Sequence, residues 1–341
     1  MLTATTFRSV EGAYVALLRL ATKQPEHRID ARGNSALEVL GVSFQLPDPR
    51  QRLPYLAERK VNVVFQFAEA LWFLAGRRDL EMIGHYAPKM RASSVDGVHV
   101  GGSAYGYTLF TPADGAQHSP FDQALELLRH ETDSKRAYLP VFSAQELADR
   151  SNPDVACLAG LHLLARGGHL HMVCNMRAND LDCGLLSDVF SFTVIQEYAA
   201  IQLGLALGTY THTIGSAHVN DHSANRVRRV LNEVDNRPAP TTFLFPAMPQ
   251  NTTAATITEV LTHEEALRTN EIRYSLDTIQ RLPLAPYWQQ VVMLFELYRQ
   301  IKSDEVTQVD PHLMAALDPG LRWLMERRWP ACAAAAAGGA Q

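Results

Sequence analysis

Composition and charge limit the classes of protein to which this chain of 341 residues can belong. Hydrophobic residues make up 47% and charged residues 20%, which predicts a globular protein with a large core. The formal net charge of -5 argues against a general nucleic-acid coat, although it leaves room for a local anion pocket. Because the N-terminal segment lacks the basic start and apolar core of a signal peptide, we expect a cytoplasmic protein.

The first third of the chain predicts helices separated by one strand. Residues 9–23 have the periodicity of an amphipathic helix, and the polar stretch that follows predicts a turn at Gly33 and Asn34. Residues 39–46 alternate as a strand. Residues 62–76 are helical in pattern, and Gly76 is a suitable C-terminal cap.

The middle of the chain adds strands between helices. Glycine and serine between 93 and 111 predict a loop that carries the aromatic cluster YGY, and residues 122–142 predict a helix, a turn and a strand. Strands are expected over 167–177 and 209–220. This irregular interleaving predicts an α+β fold with a mixed sheet packed by helices, rather than a doubly wound parallel one.

The longest apolar stretch, residues 189–208, has the length of a membrane span. It contains Gln196, Glu197 and Gln202, so we expect a buried helix and no membrane partner. Beyond about Asn251 we expect only helices. Residues 331–341 form a low-complexity tail to which we assign no function.

Common catalytic and metal-binding signatures give little indication of a hydrolase, a nucleotide-driven enzyme or a metal site. The patterns GxSxG, GxxxxGK[ST] and GxGxxG are absent, and the four cysteines form no CxxC pair that would indicate a disulfide or zinc framework. His218 and His222 are four residues apart, but no third ligand is obvious nearby. We therefore expect no metal.

Five motifs, ordered along the chain, are more informative about function. They are EALWFLAG with Glu69, GSAYGYTLF with Tyr105, ACLAG with Cys157, RANDLDCGLLSD with Arg177, and GSAHVNDH with His218. In this order and spacing, from about residue 32 to residue 222, they resemble the thymidylate synthase family. The resemblance implies one catalytic α+β domain over residues 1–330 that forms a homodimer through its sheet face.

The resemblance also implies a phosphate site shared between two subunits. Arg32 and Arg177 would bind the nucleotide phosphate from one subunit, and Lys135 and Arg136 from the other. Several guanidinium groups suit a dianionic phosphate because each can donate two hydrogen bonds. His218 would contact the same substrate.

The resemblance implies covalent catalysis with 5,10-methylenetetrahydrofolate as cosubstrate. Cys157 would attack C6 of a pyrimidine, which makes C5 nucleophilic toward the one-carbon unit. Asp180 and Gly184 would bind the folate. Glu69 would order water and relay protons, and Tyr105 would help to remove the C5 proton.

One departure from the family pattern concerns the base. Asp188 stands where thymidylate synthases have Asn, and cytidylate hydroxymethylases of the family carry Asp there. A carboxylate accepts from the 4-amino group of cytosine and, once protonated, donates to N3. The alternative is an Asp that only caps a helix N-terminus.

Other departures concern the sugar and the exclusion of water. Ala178 and Asn220 stand where deoxynucleotide enzymes have Ser and Tyr, and Lys135 replaces an arginine, which favours CMP over dCMP. The chain lacks tryptophan between Trp72 and Trp288 and ends in a small-residue tail, so we expect water rather than hydride to capture the methylene intermediate. A dUMP-methylating synthase and a non-catalytic nucleotide-binding homologue stay as alternatives.

Overall fold

A computed structural model describes residues 3–31, 33–304 and 308–333 of the chain. The strands are β1 (Thr5–Thr6), β2 (His27–Ala31), β3 (Asn34–Leu46), β4 (Tyr138–Pro140), β5 (Leu158–Arg166), β6 (His169–Asp180) and β7 (Ala206–Asn220). The helices are α1 (Val10–Lys23), α2 (Val63–Leu74), α3 (Leu80–Tyr86), α4 (Tyr105–Phe110), α5 (Pro120–His130), α6 (Gln145–Ala148), α7 (Leu185–Leu203), α8 (Ala224–Asn236), α9 (Ala254–Arg268), α10 (Leu276–Gln280), α11 (Pro286–Ser303), α12 (Pro311–Ala316), α13 (Pro319–Arg328) and α14 (Pro330–Ala333). Arg32 and most of the predicted tail lie outside the described residues.

The strands form one mixed sheet in the order β1-β3-β7-β6-β5-β4, with β2 paired to β3. The central strands β6 and β7 are parallel, whereas β3 pairs with β7 and β5 with β6 in antiparallel fashion. Helix α7 connects the two parallel strands, as such a pair requires a crossover. The C-terminal ends of β6 and β7 therefore meet at one edge of the sheet.

Helices cover one face of this sheet. Helix α7 packs on β6 and β7 and is flanked by α2, while α1 packs on β3 and β7. Alternate side chains of β7 that point to the helices, such as Tyr210 and Ile214, are fully buried. The α+β fold and its mixed, helix-packed sheet, expected from the sequence, are thus confirmed.

The opposite face of the sheet carries polar side chains that are only partly buried. Ser43 and Thr213 are hydrogen-bonded across β3 and β7 at 3.1 Å, and Gln45 donates to Thr211 at 3.2 Å. This is the face through which the sequence predicts a homodimer, and the dimer stays a prediction. None of the described helices is both long and apolar enough to cross a membrane.

Two predicted elements need correction, and a third is confirmed. The YGY cluster lies in helix α4 rather than in a loop. The turn expected at Gly33 and Asn34 is confirmed at Gly33, which lies between the antiparallel strands β2 and β3 and has a φ of +74°. The apolar run over 189–208 divides into helix α7 and the start of β7. Gly204, with a φ of +66°, ends the helix because a left-handed residue breaks it.

Candidate active site

Cys157 precedes strand β5 and lies against Arg177 of strand β6. The Arg177 guanidinium donates to the backbone carbonyls of Ala156 at 2.7 Å and Val155 at 2.9 Å. Its Nη2 also lies 3.7 Å from the Cys157 sulfur. A cation beside a thiol favours the thiolate, which is the nucleophilic form. The predicted nucleophile and the predicted phosphate ligand therefore lie together.

A cleft of about 730 Å³ opens beside this pair. Five of the residues singled out in the sequence line it, namely Cys157, Arg177, Ala178, His218 and Asn220. The sequence did not indicate that Glu38, Phe142, Glu146, Asp149, Arg150 and Ser216 also line the cleft.

Glu146 holds the Cys157 segment in place. Its carboxylate accepts from the backbone N–H groups of Ser143 at 3.0 Å and Ala156 at 2.8 Å. Because Ala156 directly precedes the predicted nucleophile, the two bonds fix that residue relative to helix α6.

Tyr105, Glu69 and Asp188 gather behind Cys157. Tyr105 is 6% exposed, and its ring packs against Phe73 of helix α2. Burial raises its pKa well above the usual value, and the charges of Asp188, Cys157 and Glu69 raise it further. Glu69, on helix α2, accepts from the Ser191 hydroxyl at 3.1 Å. The four predicted catalytic residues are thus close enough for the other three to act on Tyr105, although only Cys157 lines the cleft and their roles stay predictions.

Asp188 lies in the first turn of helix α7 and is partly buried. Burial raises its pKa from 3.8 to about 7, while a hydrogen bond from Asn179 and the charge of Lys89 oppose the shift. Asn179 Nδ2 donates to Asp188 Oδ2 at 2.7 Å. The carboxyl group can therefore gain and lose a proton near neutral pH, which a simple helix cap does not require.

Asp180 shapes the turn that leads into helix α7. Its Oδ1 accepts from the backbone N–H groups of Asp182 and Cys183 at 2.9 and 3.0 Å. Its Oδ2 accepts from Asn220 Nδ2 at 2.7 Å. Asp180, which is predicted to bind folate, is therefore hydrogen-bonded to Asn220, which is predicted to lie near the sugar. The sequence did not indicate this contact.

Gly184 is the residue from which helix α7 starts. A Cβ at this position would lie 3.2 Å from Asn179 Nδ2 and 3.4 Å from Asp188 Oδ2. A side chain there would therefore press on the bond between Asn179 and Asp188. Its predicted role in folate binding is not tested by this geometry.

Asp180, Cys183 and His222 have side-chain ligand atoms within 4.8 Å of one another. Both oxygens of Asp180 already accept hydrogen bonds, and Arg226 Nη2 lies 3.5 Å from the Cys183 sulfur. A guanidinium so close would repel a cation. The expectation of no metal stays a prediction.

Lys135 and Arg136 are exposed and lie apart from the Cys157 cleft. Arg136 forms an ion pair with Glu131 at 2.6 Å, and the Lys135 carbonyl is hydrogen-bonded to His162 at 2.9 Å. Neither lines the cleft within their own subunit. The predicted contribution from a second subunit is not tested, and Arg32 lies outside the described residues.

A second cleft, of about 600 Å³, is lined by Cys183 of the turn that follows Asp180 and by Ser187 of helix α7. Its walls carry six cationic side chains, which the sequence did not single out: Arg59, Lys60, Lys89, Arg226, Arg229 and Arg328. Arg226 and Arg229 form ion pairs with Asp182 and Glu58. The remaining positive charge of the wall suits a ligand that carries carboxylates.

Asn179 is the clearest residue that the sequence interpretation missed. It is 3% exposed, on the core-facing side of strand β6, and it contacts Asp188 directly. Lys89, which lies on the 3₁₀ turn Pro88–Ser93, also acts on the charges of Glu69 and Asp188. A polar residue at a core-facing strand position is the signal that could have identified Asn179.

Comparison of the amino-acid sequence with known proteins assigns the chain to a family. The chain matches the family described as Thymidylate synthase over residues 12–264, which is well over half of its length. The protein therefore belongs to the thymidylate synthase family.

Individual relatives are similar over part of the chain. A deoxyuridylate hydroxymethyltransferase of Pseudomonas phage M6 is 30% identical over 184 residues, which cover 52% of this chain and 50% of the relative. One of Bacillus phage SP01 is 31% identical over 199 residues, covering 55% and 51%. One of Delftia phage PhiW-14 is 28% identical over 214 residues, covering 59% and 58%. The chain thus spans about half the length of the curated relatives it matches.

Proposed function

We propose that this protein transfers a one-carbon unit from 5,10-methylenetetrahydrofolate to C5 of CMP, and that water completes the reaction. The products are 5-hydroxymethyl-CMP and tetrahydrofolate. The observation that carries this proposal is the carboxyl group of Asp188, whose pKa near neutrality lets it present both an acceptor and a donor to cytosine.

In the proposed reaction, the Cys157 thiolate adds to C6 of the pyrimidine. Arg177, 3.7 Å from the sulfur, favours the thiolate and binds the phosphate. Glu69 relays protons to and from the base, and Tyr105 assists removal of the C5 proton. The folate supplies the one-carbon electrophile.

The folate would occupy the space from Asp180 and Gly184 into the second cleft. A folate carries negatively charged glutamate carboxylates, and the cationic side chains of that cleft suit them. Among the described residues that line the two clefts, none carries an indole ring. A site without an indole ring to cover the intermediate supports its capture by water.

Lys135, Ala178 and Asn220 favour CMP over dCMP. The small side chain of Ala178 leaves space in the Cys157 cleft for a ribose hydroxyl, and Asn220 lines the same cleft. Lys135 and Arg136 would complete the phosphate site from the second subunit of a homodimer. This combination of residues resembles that of the CMP hydroxymethylase in the biosynthesis of mildiomycin. Mildiomycin is a cytosine nucleoside antibiotic.

Hydroxymethylation of a uracil nucleotide is the second candidate, because the three relatives are named deoxyuridylate hydroxymethyltransferases. It shares the folate chemistry and differs in the base. Asp188 favours cytosine, since uracil presents its donor and acceptor in the opposite order.

One competition assay separates these substrates. The protein is incubated with methylenetetrahydrofolate and equal concentrations of CMP, dCMP and dUMP, and the products are identified by mass. We expect a gain of one CH₂O unit on CMP. Preference for dCMP would mean that the substrate carries deoxyribose, and hydroxymethylated dUMP would mean that its base is uracil. Methylated dUMP would refute capture of the intermediate by water. Absence of any product would favour a nucleotide-binding homologue.

The Cys157→Ala variant tests the covalent step. We expect turnover to be abolished while CMP still binds, because the variant removes only the nucleophile. Nucleotide affinity is measured in parallel by calorimetry. Turnover equal to that of the unchanged protein would contradict the mechanism.

A further inference from the structure

A line of buried polar side chains runs from Asp188 into the core. Asn179 Oδ1 lies 3.0 Å from His212 Nε2, and His212 Nδ1 lies 2.7 Å from the Tyr210 hydroxyl. Asn179 is 3% exposed, and His212 and Tyr210 are fully buried. Polar groups in such a core are costly unless each finds a partner, and here each does. The reaction described above uses none of these three residues.

The chemistry of the groups fixes the direction of every hydrogen bond. An ionised Asp188 can only accept, so the Asn179 NH₂ group faces it and the amide oxygen faces His212. An amide oxygen also only accepts, and therefore His212 carries its proton on Nε2. Burial lowers the pKa of His212 to about 3, which keeps the ring neutral and leaves Nδ1 to accept from Tyr210.

We propose that Asn179, held by His212 and Tyr210, is a positioning residue that decides which oxygen of Asp188 carries the proton. The Asn179 N–H takes one lone pair of Oδ2 and makes that oxygen less basic, so the proton that Asp188 gains resides on Oδ1. The second lone pair of Oδ2 can still accept a hydrogen bond from the base. The neutral acid then offers an acceptor and a donor in one fixed order. The bare carboxylate alone would not define that order.

A fixed order distinguishes cytosine from uracil. Cytosine presents a donor at its 4-amino group and an acceptor at N3, whereas uracil presents an acceptor at O4 and a donor at N3. The hydrogen-bonded series Asn179–His212–Tyr210 therefore contributes, from within the core, to the selectivity for cytosine over uracil. This inference rests on the proposed function, because it assumes that Asp188 contacts the pyrimidine.

Two variants interrupt the hydrogen-bonded series Asn179–His212–Tyr210 at different points. Asn179→Leu removes the donor to Asp188, and His212→Leu removes the group that holds the amide. His212→Gln is the conservative counterpart, because its side-chain amide can still donate to Asn179. Tyr210→Phe removes a single hydroxyl group and serves if the leucine variants do not fold.

Gln196→Leu is the matched control. Gln196 is fully buried, and its amide donates to the carbonyls of Leu170 and Gly208, away from Asp188. Its loss also removes buried hydrogen bonds from the core. Any effect of general destabilisation should therefore appear in this variant too.

The measurement is the ratio of kcat/KM for CMP to that for UMP, together with the Kd of each nucleotide. We expect Asn179→Leu and His212→Leu to lower this selectivity by about tenfold or more, as for the loss of one oriented hydrogen bond. His212→Gln should recover most of it, Tyr210→Phe should lose less, and Gln196→Leu should leave it unchanged. Unchanged selectivity in Asn179→Leu, or an equal loss for both bases, would overturn the inference.

The unmodified protein separates this inference from the proposed function. If it shows no preference for CMP over UMP in turnover or in Kd, the proposed function fails before any variant is made. If it prefers CMP and the variants do not alter that preference, only the role of Asn179 fails.

Discussion

Replacing Glu69 by Gln should make the stability of the protein less dependent on pH. Burial raises the pKa of Glu69 from 4.5 to about 8, and the charge of Asp188 adds to the effect. Between these two values the folded protein holds a proton that the unfolded chain releases. The free energy of unfolding must therefore fall as the pH rises through this window.

The pKa values set the size of the effect. Each pH unit in the window is worth about 1.4 kcal/mol, so an enclosed carboxyl would lose about 3 to 4 kcal/mol between pH 5 and pH 8. Part of the Glu69 side chain remains in contact with solvent, which screens the charge. We therefore expect a loss of about 2 kcal/mol from Glu69, which the neutral amide of Glu69→Gln removes.

Urea unfolding at pH 5, 6, 7 and 8, at one protein concentration, measures this difference. Asp188, whose pKa is raised from 3.8 to about 7, makes stability fall with pH in both proteins and serves as the internal reference. The curve of Glu69→Gln should be flatter than that of the unmodified protein. Parallel curves would refute the assignment of a protonated Glu69 at neutral pH.

Three further substitutions have defined outcomes. Gly106→Ala should lower the free energy of unfolding in urea by at least about 2 kcal/mol, because its Cβ would lie 2.2 Å from the Phe73 Cα; equal stability would show that helix α4 can shift. Arg52→Met should lower the free energy of unfolding by about 3 to 5 kcal/mol in the same assay, because it leaves the buried Glu197 carboxylate without its ion pair. A smaller loss would mean that water reaches the Glu197 carboxylate. Tyr105→Phe should lower kcat about a hundredfold with little change in CMP affinity, and an unchanged kcat would exclude a role in proton removal.

The sequence predicts the elements that have a strong local pattern. Helix α1 lies within the predicted residues 9–23, with Ser9 as an N-cap whose side chain accepts from Gly12, and helix α2 is followed by Gly76 as expected. Two failures have physical causes. Gly106 suggested a loop, but it lies in a helix because only a glycine lets α4 approach the backbone of Phe73. The hairpin strand β2 is polar because it lies at an exposed edge.

The sequence also identified five of the residues that line the Cys157 cleft, because their motifs are local and ordered along the chain. It missed Asn179 and His212, which are 33 positions apart and meet only when β6 and β7 pair in parallel. No spacing rule within one strand relates them. Contacts of this kind follow from sheet register, which the local pattern does not specify.

The two bonds from Arg177 to the carbonyls of Val155 and Ala156 have a consequence for how such a protein can diverge. The predicted anion-binding group and the predicted nucleophile form one mechanical unit, so a substitution that repositions either one displaces the other. Under the proposed function, a change of substrate is therefore easier through side chains that take no part in these two bonds, such as those of Ala178 and Asp188.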